Sequence, residues 1–131
     1  MSAATYLDSS AIVKLVVAEA ESAALRDHLR RRRPLVSSAL ARTEVLRAVL
    51  GEGNEALAQA RSVLSRIDLV RITDRVLNAA GELLPADIRS LDAIHLASAL
   101  QLGTDLRSLI TYDQRMLDAA RHLSLNATNP Q

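Results

Sequence analysis

Ser90-Leu91-Asp92-Ala93-Ile94-His95-Leu96-Ala97-Ser98-Ala99-Leu100 decides how this chain folds. The stretch reads as a helix with Ser90 as its N-cap. At about 100° per residue its apolar side chains fall almost all the way round, the pattern of a helix buried on every side. Asp92 then enters the interior in the first turn. A buried carboxylate needs compensation. Two sources are open: the helix dipole, worth about 0.3–1 kcal/mol to an acid in the first turn, or a metal ion shared with other carboxylates.

Working outward, Ser108 to Thr111 reads as a strand ending in Tyr112-Asp113, and a helix follows to His122. Leu123 to Asn126 is a candidate last short strand. On the other side, Ala4 to Leu7 reads as a first strand ending at Asp8, with a helix opening at Ser9-Ser10. A second helix covers Glu21 to Arg33 and stops at Pro34. Leu35 to Ser37 is a second strand, and Ser38 can cap a helix from Ala39 to about Leu50. Gly51 and Gly53 break the chain before a helix over Asn54 to Arg66. Asp68 to Ile72 is a third strand, and Thr73 or Asp74 caps a helix through Leu83. Pro85 to Arg89 is a loop leading into the central helix. Strands alternate with helices, and one long stretch carries two helices in succession. The order predicts an α/β fold, a three-layer α/β/α sandwich around a mostly parallel sheet, with right-handed crossovers.

At 131 residues the chain reads as a single domain, 1–131, long enough for a real core. Tyr6 and Tyr112 are its only aromatics, so that core is aliphatic. There is no cysteine, which removes disulfide and thiolate chemistry. The start of the chain lacks the pattern of a signal peptide, no apolar run approaches the roughly 20 residues of a membrane span, and a cytoplasmic location is expected. A net charge of +1 does not announce a nucleic-acid binder. The run Arg30-Arg31-Arg32-Arg33 has two readings, a solvated helix end or a phosphate-tracking patch.

Asp8 and Asp113 fall in equivalent places, each after a short aliphatic strand and before a helix. If their strands are neighbours at the switch point of the sheet, the two acids face each other across the ligand-binding crevice. Asp92 can point into it, and Glu44, on a stripe with Leu40 and Ala48, can complete the set. Alternatives remain for each: Asp8 and Asp113 as helix caps, Glu44 as half of a surface pair with Arg47. Four carboxylates without a cation repel. Hard oxygen ligands in this number suit Mg²⁺ or Mn²⁺, and two such ions about 4 Å apart can cleave a phosphodiester.

Tyr6-Leu7-Asp8-Ser9-Ser10-Ala11, Arg42-Thr43-Glu44-Val45, Arg89 to Ala97 and Ile110-Thr111-Tyr112-Asp113 match, in type, order and approximate spacing, the PIN-domain ribonucleases. The chain resembles the toxins of VapBC-type toxin–antitoxin pairs over almost its whole length. The resemblance implies a five-stranded parallel sheet, a divalent-metal site (Mg²⁺ or Mn²⁺), RNA cleavage, a cognate antitoxin and a homodimer. Carried over, Asp8, Glu44, Asp92 and Asp113 are the catalytic and metal-binding acids, while Ser9 and Thr111 orient a carboxylate or water. His95, three residues after Asp92, reads as a hydrogen-bonded core histidine rather than a ligand. Two other functions fit the resemblance: an RNA-processing nuclease that is no toxin, and a catalytically silent interaction module. Haloacid-dehalogenase-like phosphatases require a second Asp where Ser10 stands. Response-regulator receivers require a lysine after a late strand, and the single lysine, Lys14, is in the first helix.

Overall fold

The computed structural model describes residues 3–131. Five strands, β1 (Ala4–Leu7), β2 (Leu35–Ser38), β3 (Asp68–Val70), β4 (Leu106–Ile110) and β5 (Ala127–Thr128), form one sheet in the order β3-β2-β1-β4-β5. Every pairing is parallel. The helices are α1 (Ser9–Val16), α2 (Ser22–Leu29), α3 (Leu40–Val49), α4 (Asn54–Leu64), α5 (Asp74–Gly81), α6 (Ser90–Leu100) and α7 (Gln114–His122).

Alternation along the strands divides the core in two. Leu7, Leu35 and Ile110 pack with Ile12, Leu25, Val45 and Val63 on the face covered by α1 to α4. Their strand neighbours Tyr6, Val36 and Leu109 pack with Leu96, Met116 and Leu117 on the face covered by α6 and α7. Both faces of the sheet are thus dry, as parallel strands require, and the three-layer α/β/α prediction holds. Paired helices occur in three connections, not one: α1–α2, α3–α4 and α5–α6.

The chain leaves β1 toward β2 and β3, then crosses back to β4 on the other side of β1. Leu7 pairs with Ile110, so β1 and β4 end side by side. The predicted neighbours at the switch point are neighbours. Residues 8 and 113 follow those strands at the carboxyl edge of the sheet, where open α/β sheets bind ligands.

Four expectations shift. The central helix α6 is not buried on every side, because it lies in an outer layer over the sheet: Leu91 is 49% exposed, while Ala93 and His95 to Ala99 are buried. Its cap position is Arg89, whose carbonyl accepts from Ala93 N, and Ser90 is the first helical residue. Helix α2 stops at Leu29, because the chain must turn back into β2 and Pro34 disfavours a helical Arg33. The last strand begins at Ala127, because a turn consumes residues 123–125: Ser124 is left-handed (φ 62°) and Leu125 N donates to the Ala120 carbonyl.

The arginine run therefore lies in the turn before β2, at the amino edge of the sheet, a full strand length from Asp8 and Asp113. Arg32 donates to the His28 carbonyl, and the Arg30–Asp27 pair is largely in solvent. This placement favours the solvated reading. Replacing Arg30 to Arg33 by Gln is expected to leave the salt dependence of RNA binding unchanged; a slope reduced by about one unit per lost contact in a filter-binding series would contradict it.

Candidate active site

Asp8 is the most deeply buried of the four acids, at 3% exposure. It is also the cap of α1: Oδ1 accepts from Ala11 N at 3.0 Å and from Ser10 Oγ at 2.6 Å. Oδ2 accepts from the Thr111 hydroxyl, which in turn accepts from Asp113 N at 3.1 Å. Ser10 Oγ also accepts from Tyr112 N at 2.9 Å. Two hydroxyls thus sew the end of β1 to the end of β4. Burial pushes the Asp8 carboxyl above its ordinary value of 3.8, against the hydrogen bonds from Ser10, Thr111 and Ala11 N, which pull it down.

Asp113 caps α7, accepting from Arg115 N at 2.9 Å, with its side chain 30% exposed. Asp92 stands in the first turn of α6 with its side chain 18% exposed. It lies at the rim rather than in the interior, because α6 begins where the loop 85–89 reaches the sheet edge. In the structure Arg89 compensates Asp92: Arg89 Nε donates to Asp92 Oδ2 at 3.0 Å, and Arg89 Nη2 donates to Asp113 Oδ2 at 2.9 Å. One guanidinium spans the two carboxylates.

Glu44 leaves Arg47 alone and turns inward. Its Oε1 is 2.6 Å from His95 Nε2 and accepts from Ser9 Oγ at 2.6 Å. His95 is buried, and its Nδ1 lies 2.7 Å from the Tyr6 hydroxyl. The arrangement with a donor and an acceptor at each contact has Tyr6 donating to Nδ1 and Nε2–H donating to Glu44. Burial alone would raise the Glu44 carboxyl; the hydrogen bonds from His95 and Ser9 outweigh it and hold the group below its ordinary 4.5. His95 is therefore the hydrogen-bonded core histidine expected, with the added task of tying Glu44 to Tyr6.

Ser9 and Thr111 each orient a carboxylate, of Glu44 and Asp8 respectively. Arg89, Ser10 and Tyr6 did not stand out in the sequence as site residues. Arg89 and Ser10 lie within three residues of an acid, the one signal that could have found them. Tyr6 is a strand residue like any other until His95 is seen beneath it.

Asp8, Asp92 and Asp113 offer the hard oxygens that Mg²⁺ or Mn²⁺ takes. Asp92 and Asp113 already converge on one cation, the guanidinium of Arg89. By chemistry and by this convergence Asp92 and Asp113 fit a divalent ion. Among the described residues no three acidic or imidazole side chains stand close enough to hold a metal as they are.

Residues 5–122 match the PIN domain family. The chain belongs to that family. It is 58% identical over 98% of both chains to ribonuclease VapC46 of Mycobacterium tuberculosis (strain ATCC 25618 / H37Rv). It is 42% identical to ribonuclease VapC35 of the same strain, over 95% of this chain and 96% of that one. Among solved structures, VapC20 of Mycobacterium tuberculosis, a toxin that cleaves the sarcin–ricin loop, superposes with a TM-score of 0.77 at 16% identity, over 96% of this PIN domain chain and 99% of its own. A toxin–antitoxin complex from Klebsiella pneumoniae gives 0.76 at 18% identity, over 97% and 98%. These two likenesses concern the PIN fold.

Tyr6→Phe strands the buried Nδ1 of His95 without a donor and is expected to cost about 1–3 kcal/mol of stability, measured by urea unfolding. The raised Asp8 carboxyl makes a different prediction. A folded-state pKa above the unfolded one means that stability is lost as pH rises through the interval between them. In chelator, Asp8→Asn should melt at or above wild type at neutral pH, and the difference should shrink as pH falls toward the folded value. A mutant that melts well below wild type at pH 7 would contradict this.

Proposed function

We propose that this protein is a metal-dependent endoribonuclease and the toxin of a type II toxin–antitoxin pair. The observation that carries the reading is the convergence of Asp92 and Asp113 on one cation, with Asp8 at the end of the neighbouring strand β1, in a PIN chain 58% identical to a ribonuclease. Asp92 and Asp113, with Asp8, would hold Mg²⁺ or Mn²⁺. The chemistry a divalent ion would supply there is activation of a water and stabilisation of charge on the leaving oxygen of a phosphodiester.

The chain's own residues prepare that chemistry. Thr111 and Ser10 fix the Asp8 carboxylate in one orientation, so little reorganisation is left for ligand binding. His95 and Ser9 hold Glu44 ionised at neutral pH, available as a further ligand or as a proton acceptor beside the site. Tyr6 fixes the imidazole, and burial keeps its own hydroxyl protonated by pushing its pKa upward. With no Phe or Trp, base-stacking platforms are scarce. Recognition of RNA then falls to backbone shape and polar contacts.

A free endonuclease harms its own cell, which is why the reading includes a cognate antitoxin, a cytoplasmic location and, by resemblance, a homodimer. Toxin–antitoxin complexes among the solved PIN neighbours support the partner. Purified protein should cleave structured RNA with Mg²⁺ or Mn²⁺ and stop on chelation. Asp92→Asn and Asp113→Asn should each bring cleavage to background while circular dichroism stays native. Cleavage that continues in excess chelator would sink the mechanism, and active protein without growth arrest in its native host would remove the toxin role.

A further inference from the structure

The metal reading leaves Arg89 unexplained. Its Nε and Nη2 reach Asp92 and Asp113 at 3.0 and 2.9 Å, so one edge of the guanidinium is shared by carboxylates from two different elements. The position between those oxygens is where the proposed ion belongs. We propose that Arg89 is a built-in counter-ion that occupies the metal position between Asp92 and Asp113 and must be displaced for the ion to bind. The proposal rests on the reading of Asp92 and Asp113 as metal ligands.

Three features make Arg89 displaceable rather than structural. Its side chain is 59% exposed, so ion pairing there is screened and adds little to the fold. It sits at the cap position of α6, at the end of a loop, so withdrawal needs only side-chain rotations and no repacking. A groove of about 560 Å³ opens beside it, lined by Pro85, Asp87, Asp92, Arg115 and His122, and Asp87 gives the withdrawn guanidinium another carboxylate.

Chemistry decides what can displace it. A guanidinium keeps its charge throughout the physiological pH range, so pH does not release the pair. A second cation of higher charge density does, by taking the same oxygens. Arg89 also relieves the repulsion between Asp92 and Asp113 while no ion is bound. The ion thus competes with an internal cation rather than entering an empty site, and its apparent affinity is lowered by the fraction of molecules in which Arg89 occupies the position.

Mn²⁺ titrated calorimetrically into chelator-stripped protein tests this without reference to cleavage. Arg89→Gln should bind Mn²⁺ about tenfold more tightly than wild type, since a positive charge within a few ångströms is removed. Arg115→Gln removes a cation from the same groove that does not bridge the two acids, and should tighten binding much less. In wild-type protein labelled with ¹⁵N, the Arg89 Nε–H resonance should shift and broaden as Mg²⁺ is added, at the concentration that saturates binding. Equal tightening by both substitutions, unchanged or weaker binding by Arg89→Gln, or an Arg89 resonance indifferent to Mg²⁺ would each overturn the proposal. If wild type still binds Mn²⁺ and cleaves RNA, only the role of Arg89 falls. Failure of both wild type and Arg89→Gln to bind Mn²⁺ would overturn the metal reading, and this proposal with it.

Discussion

The hydroxyl of Thr111 donates to a carboxylate that burial has almost sealed from water, Asp8, across the seam between β1 and β4. That seam is the switch point of the sheet, and the rest of the site hangs on it. A buried carboxylate without donors would cost several kcal/mol. Here the donors are the N-terminus of α1, Ser10 and Thr111. Because Ser10 also accepts from Tyr112 N, and Thr111 from Asp113 N, satisfying Asp8 also sets the path of the chain into Asp113. One electrostatic requirement thereby places two of the acids.

The two remaining acids are held by opposite devices. Glu44 is drawn in by a hydrogen-bond network, Tyr6–His95–Glu44–Ser9, that runs from beneath the sheet to the rim. Asp92 is held at the rim by a single exposed cation, Arg89. The inner group is rigid and its charge is stabilised by hydrogen bonds. The outer pair is soft and its charge is balanced by a side chain that can leave. A site that must hold acids in place and still admit an ion benefits from both. The buried half resists rearrangement because every unpaired donor or acceptor there is costly. The exposed half rearranges at little cost because water takes over.

Burial and charge also explain which helix ends matter. Asp8 and Asp113 are caps in the ordinary sense, each accepting from a backbone N–H of the helix it precedes. Capping and membership of the site are therefore compatible: one oxygen serves the helix, the other faces Thr111 or Arg89. Helix α6 has no side-chain cap, and the residue in that position, Arg89, uses its side chain across the crevice instead.

Much of this was legible in the order of residues. Short aliphatic strands alternating with helices specify parallel strands with both faces covered, because only that arrangement buries such runs. The acids that follow β1 and β4 could be placed at one sheet edge for the same topological reason. The resemblance to PIN-domain ribonucleases, and the four acids it carries, also came from sequence. Side-chain partners did not. Arg89 lies beside Asp92 in sequence, but its contact with Asp113 spans 24 positions, and His95 meets Tyr6 across 89. Periodicity reports which face of an element is apolar; it does not report which polar atoms meet when two elements pack. The helix Ser90–Leu100 is the sharpest case: its composition is that of a fully buried helix, yet its place in an outer layer leaves Leu91 in solvent and Asp92 at the rim. Local propensity and pattern determined the elements and their order, while the burial of Asp8 and the pairing of Arg89 were decided only when the layers closed, because both depend on distances between segments remote in the chain.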